Sequence, residues 1–243
     1  MWWIRCGTAP SGPPVSSKPM IHCISVENMR SSDALTIRQY VSGVELMGRA
    51  ARGVFQACDW QGRVAIVTGS GNNGGDGFAL ACLLQEAEIP CRIFTLSEKR
   101  SEEGAFYAEK ALQMGVKITP FTPNCLQDFD IIVDCLLGTG FHGTPREAYC
   151  AAIREINASQ TFVVSVDINS GMNGDTGEGD PIVRSDLTVT IGFLKHGLLT
   201  EQAGRHIKRL VCADIGIVLE REERKITAEN APPWLDLNIL SIV

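Results

Sequence analysis

The residues with the most chemical content are Thr68-Gly69-Ser70-Gly71-Asn72-Asn73-Gly74-Gly75-Asp76-Gly77, which stand between a β-branched run, Val64 to Val67, and a helical pattern that begins near Phe78. A strand that feeds a glycine-rich turn and then a helix can cradle a phosphate. Small residues let backbone N–H groups approach the anion closely, and the positive end of the helix dipole adds to the attraction. Gly69-Ser70-Gly71-Asn72-Asn73-Gly74 satisfies the dinucleotide pattern G-x-G-x-x-G, which calls for an acidic residue at the end of the second strand. Glu98, just past the second candidate strand, takes that place. Asn72, Asn73 and Asp76 exceed what a plain dinucleotide turn uses and predict an oxygen-rich pocket. A P-loop is excluded, because no Gly-Lys-Ser/Thr follows the glycines. The turn is expected to lie outside the core, so a side chain at Gly74 should cost ligand binding and not folding.

Two other strand ends carry polar residues among glycines: Val133-Asp134-Cys135-Leu136-Leu137-Gly138-Thr139-Gly140 and Val166-Asp167-Ile168-Asn169-Ser170-Gly171. The elements that must position them alternate along the chain. Strands are predicted at Val64 to Val67, Cys91 to Leu96, Lys117 to Phe121, Ile131 to Cys135, Phe162 to Val166, Leu187 to Ile191 and Arg209 to Ala213. Helical patterns at Phe78 to Ala87, Glu102 to Met114 and Pro145 to Ile156 separate most of them, and 34–57 reads as two helices broken near Ser42-Gly43. This order predicts an α/β fold, a Rossmann-like three-layer α/β/α sandwich with a mainly parallel sheet. Ligands of such sheets bind outside the carboxyl ends of the strands, where the strand order reverses. All three motifs meet that condition and should share one cleft.

The three motifs, in this order, resemble the NAD(P)H-hydrate epimerase family, the YjeF N-terminal domain. The similarity runs from about Ile24, where Ser25-Val26-Glu27-Asn28-Met29 resembles the opening helix of the family, to about Ile217. The resemblance implies an isomerase of nicotinamide nucleotide repair that interconverts the R and S forms of NADHX or NADPHX at C6 of the nicotinamide ring. Inversion there needs no redox step. Either the C–O bond breaks to an iminium and water returns on the other face, or the ring opens at N1–C6 and recloses. Both routes move a proton on and off an oxygen, and Asp167 is the carboxylate expected to do it, oriented by Asn169 and Ser170.

The nucleotide is expected on Asn72, Asn73, Gly74, Gly75 and Asp76, on Asp167, and on the second glycine-rich junction, Gly138, Thr139, Gly140, Phe141, His142, Gly143 and Thr144. Lys195 is a phosphate or ribose partner by the same resemblance. It also implies one potassium ion per subunit on Asn73, Asp134 and Ser170, functional coupling to a separate NAD(P)HX dehydratase, and a homodimer as the assembly it allows. One departure stands in the second helix, where Leu46-Met47 continues as Gly48-Arg49-Ala50-Ala51 in place of the acidic or amide pair and glycine of many members.

Composition narrows the alternatives. The chain has 243 residues, 44% apolar and 21% charged, with a net charge of −6. That balance fits one globular domain and gives no basic footprint for nucleic acid or anionic lipid. No segment approaches about 18 uninterrupted apolar residues, so no membrane helix is expected. Nine cysteines, an odd number with no C-x-x-C pair, and four histidines without paired ligand spacing read as buried thiols in a reducing, cytoplasmic setting, not as disulfides or a transition-metal site. Residues 1–19 are expected to be a disordered or non-native extension, with Met20 a natural second start and a presequence the competing idea; 20–217 form the epimerase domain and 218–243 a charged, Pro-containing peripheral tail. The other functions in play are an NAD(P)-dependent oxidoreductase, which would need the ribose acid and a hydride-acceptor pocket, and a non-catalytic nucleotide-binding scaffold.

Overall fold

The computed structural model describes residues 20–242; the expected N-terminal extension, 1–19, lies outside the described residues. Eight strands form the main sheet: β2 (Val64–Thr68), β3 (Cys91–Thr95), β4 (Lys117–Pro120), β5 (Ile131–Cys135), β6 (Phe162–Val166), β7 (Leu187–Ile191), β9 (Leu210–Asp214) and β11 (Leu240–Ser241). Their spatial order is β11, β9, β7, β6, β5, β2, β3, β4, with every pairing parallel. Strands β2, β5 and β7 are buried at every residue, as β-branched runs covered on both faces must be. The edge strand β4 carries Lys117 and ends at Pro120, which blunts further pairing. The chain leaves β2 towards β3 on one side and returns to pair β5 on the other, so the strand order reverses between β2 and β5.

Alternate strand residues face two different layers. Val64, Ile66, Ile93, Val133, Val166 and Val189 pack against α2 (Gly43–Ala57), α3 (Asn72–Glu86) and α4 (Glu102–Gln113). Ala65, Val67, Ile132 and Val163 face α5 (Glu147–Ala158). A second sheet of three strands covers the rest of that face: β1 (Ile21–Ile24) pairs in parallel with β8 (Leu194–Lys195) and antiparallel with β10 (Arg224–Ile226). The expected three-layer sandwich is therefore present, with an added small sheet. The charged tail is tied to the body through β10, through β11 and through Trp234 among other contacts; the Trp234 Nε1–H donates to the Leu198 carbonyl at 3.0 Å. The eight cysteines among the described residues are free.

Two helix starts differ from the sequence reading. The helix predicted from Phe78 begins at Asn72, and the one predicted from Ala34 belongs to α1 (Val26–Gln39). Glycines normally disfavour a helix interior, but here they let α3 pack tightly. A Cβ at Gly74 would collide with the Gly69 carbonyl oxygen, and one at Gly77 would lie 2.9 Å from Thr68 Cγ2. Gly74 is thus part of the packed core, which corrects the expectation that a side chain there would leave the fold intact.

Candidate active site

Capping separates α3 from its neighbours. Ser25, Ser42 and Ser101 each accept a bond from a first-turn N–H of α1, α2 and α4, the usual way of satisfying these orphan donors. The N-cap of α3 is Gly71, which supplies no side-chain acceptor. Its start opens into a cavity of about 480 Å³ at the carboxyl end of the sheet. The cavity is walled by α1 (Met29, Arg30, Asp33, Ile37), the start of α3, the loop after β5, and Asp167 and Lys195. It sits where the strand order reverses, as ligand sites of this architecture do.

Asp167 follows β6 with φ 68°, a left-handed conformation rare for a residue with a side chain. Its N–H donates to the Val189 carbonyl at 2.8 Å. The Lys195 ammonium donates to Asp167 Oδ1 at 2.5 Å, and also to Thr190 Oγ1 at 3.0 Å and to the Ile191 carbonyl at 2.8 Å. Side-chain exposure is 1% for Lys195 and 14% for Asp167. Lys195 is therefore spent on holding the carboxylate, not free for a phosphate or ribose as expected. Asn169 and Ser170 do not orient Asp167 either. Asn169 donates to the Val183 carbonyl at 2.9 Å and to Ser185 Oγ at 3.0 Å, while Ser170 turns to Asp134. The ammonium can do more than a neutral amide would, because its charge strengthens the hydrogen bond that orients the carboxylate.

Asp134, next to the last residue of β5, has no exposed surface. Burial pushes its carboxyl above the ordinary range, against the bonds it receives from Ser170, Leu136 and Ser165. Ser170 Oγ donates to Asp134 Oδ1 at 2.5 Å and Ser170 N to Oδ2 at 2.9 Å. Asn73, in the first turn of α3, is buried, and both its Oδ1 and Nδ2 lack a partner among the described residues. The structure thus brings Asp134 and Ser170 into contact and buries Asn73 with an unsatisfied amide beside Gly138, where a Cβ would lie 3.1 Å from Asn73 Cβ. A buried amide left unpaired costs about 1–3 kcal/mol. An oxygen-seeking cation would remove part of that cost.

Of the expected nucleotide contacts, Asn72, Asn73, Asp76, Gly138, Thr139, Gly140, Phe141 and Asp167 line the cavity. Gly74 and Gly75 are buried behind it, with Gly75 against Met47. His142, Gly143 and Thr144 are exposed and off its wall. His142 accepts a bond from the Arg30 guanidinium at 3.3 Å, which fixes a cation beside the glycine-rich loop. Glu98 is exposed and also off the wall, so the oxidoreductase reading has no ribose acid at this cavity. Arg30 and Asp33 are not among the residues that the sequence singles out, because they lie between the opening-helix segment that ends at Met29 and the helical pattern that begins at Ala34. Met29, Asp33 and Ile37 at i, i+4 and i+8 share one face of α1, the face that walls the cavity.

The family described as YjeF-related protein N-terminus matches residues 43–197. The chain belongs to this family. It is 35% identical to the NAD(P)H-hydrate epimerase of Limosilactobacillus fermentum over 199 residues, 79% of this chain and 95% of that protein. It is also 35% identical to the NAD(P)H-hydrate epimerase of Rhodopirellula baltica, over 85% of this chain and 88% of the relative. Similarity to the bifunctional NAD(P)H-hydrate repair enzyme Nnr of Archaeoglobus fulgidus is 36% over 73% of this chain, which there spans only 37% of the relative. The crystal structure of yeast ynu0 shares the fold, with a TM-score of 0.69 and 19% identity over 84% of this chain and 99% of that one. The family match covers all three glycine-rich strand ends and Lys195.

Proposed function

We propose that this chain is an isomerase, an NAD(P)H-hydrate epimerase that interconverts the R and S forms of hydrated NADH and NADPH at nicotinamide C6. The observation that carries the reading is the Asp167 carboxylate, ion-paired with a buried ammonium at the wall of a cavity that also receives an uncapped helix start. The first supplies a proton acceptor and the second a seat for phosphate, which are the two requirements of inverting a hemiaminal carbon on a nucleotide. The cavity volume is ordinary for a small-molecule site. Two similar proteins carry the epimerase name over nearly their full length.

Within that function, Asp167 takes the proton released at C6 oxygen, and Lys195 holds it in one orientation. The start of α3 and the loop from Gly138 to Phe141 hold the nucleotide, with Arg30 as the nearby cation. Potassium suits Asn73, Asp134 and Ser170, since one amide, one carboxylate and one hydroxyl are oxygen donors without demanding geometry. Such an ion would supply fixed positive charge under the nucleotide. Acting in repair, the chain would work with a dehydratase that consumes one epimer; the relatives named bifunctional repair enzymes support that coupling. Among the described residues no helix is long and apolar enough to cross a membrane.

A coupled assay tests the reading. An equilibrated mixture of both epimers, given an S-specific dehydratase, should be consumed completely and quickly when this protein is added. Consumption that stops at the S fraction, apart from slow spontaneous inversion, would defeat it.

A further inference from the structure

The cavity wall carries four carboxyl groups, those of Asp33, Asp76, Glu103 and Asp167, and one buried ammonium. Asp167 has Lys195; Asp33 on α1 and Asp76 on α3 have no ion pair and no hydrogen-bond donor among the described residues. An unpaired carboxylate at a half-buried wall is costly, and the usual response is to keep the proton. Inversion at C6 also makes a geometric demand. Oxygen leaves from one face of the ring and arrives on the other, so a single carboxylate on one wall serves only half of the exchange. Asp33 projects from the helical wall, Asp167 from the carboxyl end of the sheet.

We propose that Asp33 is the second proton-transfer residue of the epimerase, acting on the ring face opposite to the one served by Asp167. As the C6–O bond breaks, the proton of Asp33 goes to the departing oxygen, which leaves as water, and the N1 lone pair forms the iminium. Water then attacks C6 from the other face, the iminium electron pair returns to N1, and the surplus proton passes to Asp167. For the other epimer the two carboxyls exchange roles, and solvent returns the proton between turnovers. No oxidant or reductant is used.

The surroundings of Asp33 suit this task. Burial raises its carboxyl to about 6, Lys195 opposes the rise and Asp167 adds to it. Asp76 on α3, which burial, Asp167 and Asp33 push well above the ordinary range, Glu103 on α4 and Arg30 on α1 are the other titratable or charged groups on the cavity wall. A carboxyl near 6 exchanges protons close to working pH, which is where an acid catalyst is most effective.

The inference rests on the epimerase reading, and its test has one arm on turnover and one that needs none. In wild-type protein, turnover should fall as pH rises through about 6, because in either direction the two carboxyls must hold one proton between them. Asp33→Asn should lower turnover by about 10² and abolish that limb, with affinity for NADP+ kept, and Asp33→Glu should restore part of the rate. Turnover within twofold of wild type, or a lost rate with the limb unchanged, would overturn the proposal. In the second arm, infrared difference titration of the ligand-free protein should show a carboxyl band titrating near 6 that Asp33→Asn removes. A band that survives Asp33→Asn and disappears in Asp76→Asn would overturn it, whether or not the chain epimerises anything.

Discussion

The main sheet has a cavity at each end, and both measure about 480 Å³. At the amino end, the wall carries Asp130, Asp186 and Arg209. Each is answered: Arg63 N donates to Asp130 at 2.7 Å, Val163 N to Asp186 at 2.9 Å, and Arg209 to Asp236 at 2.7 Å. At the carboxyl end, Asp33, Asp76 and the Asn73 amide are unanswered among the described residues, the start of α3 is uncapped, and Asp167 sits in a strained backbone conformation. Equal volumes with opposite accounts of their polar groups teach that size does not mark a site. Groups left in need of a partner do, because folding alone gains nothing from leaving them so.

Four variants would break or sharpen this contrast, from the largest effect down. Asp167→Asn keeps shape but removes the proton acceptor, so turnover should drop by at least ~10² with nucleotide affinity retained; normal turnover would move the base elsewhere. Potassium at about a hundredfold excess over its Kd should raise stability by about 2.7 kcal/mol, and Asp134→Ala should erase the potassium dependence of thermal unfolding. An identical melting point in potassium and in large organic cations would reject the ion at Asn73, Asp134 and Ser170.

Gly74→Val should cost roughly 1–3 kcal/mol in chemical denaturation, since its side chain has only the Gly69 carbonyl to push against. A stable variant that merely binds nucleotide less would return Gly74 to the ligand. At the amino end, Asp186→Ala should lose about 1 kcal/mol of stability by leaving Val163 N without its acceptor, with turnover unchanged. Slowed turnover there would show that the two ends are not functionally separate.

The alternation of strand and helix was legible because each element carries its own period, and the three polar strand ends were legible because glycines and asparagines cluster there. The small sheet was not. It joins Cys23 to Arg224 and to Leu194 across most of the chain, and strands of two to four residues have no pattern to read. The same holds for the latch beside it. Burial opposes ionisation of Glu223, yet bonds from His196, Ser25 and Asn28 hold its carboxyl down at about 2 and tie the tail to the start of α1. Its sequence neighbours show only a charge run. The role of Lys195 differs from the expected phosphate or ribose contact for a related reason: its task depends on a carboxylate 28 positions earlier in the chain, and only the folded sheet brings the two together.

The central claim is that inversion at C6 happens at the carboxyl end of the sheet, on Asp167. The most direct measurement starts from one purified epimer, the R form of hydrated NADPH, and follows the appearance of the S form by chromatography, with no second enzyme present. The account predicts that wild-type protein brings the mixture to equilibrium far ahead of spontaneous inversion, that Asp186→Ala does the same, and that Asp167→Asn is slower by at least ~10². Equilibration of the R epimer at the spontaneous rate with wild-type protein, or at the full rate with Asp167→Asn, would contradict it.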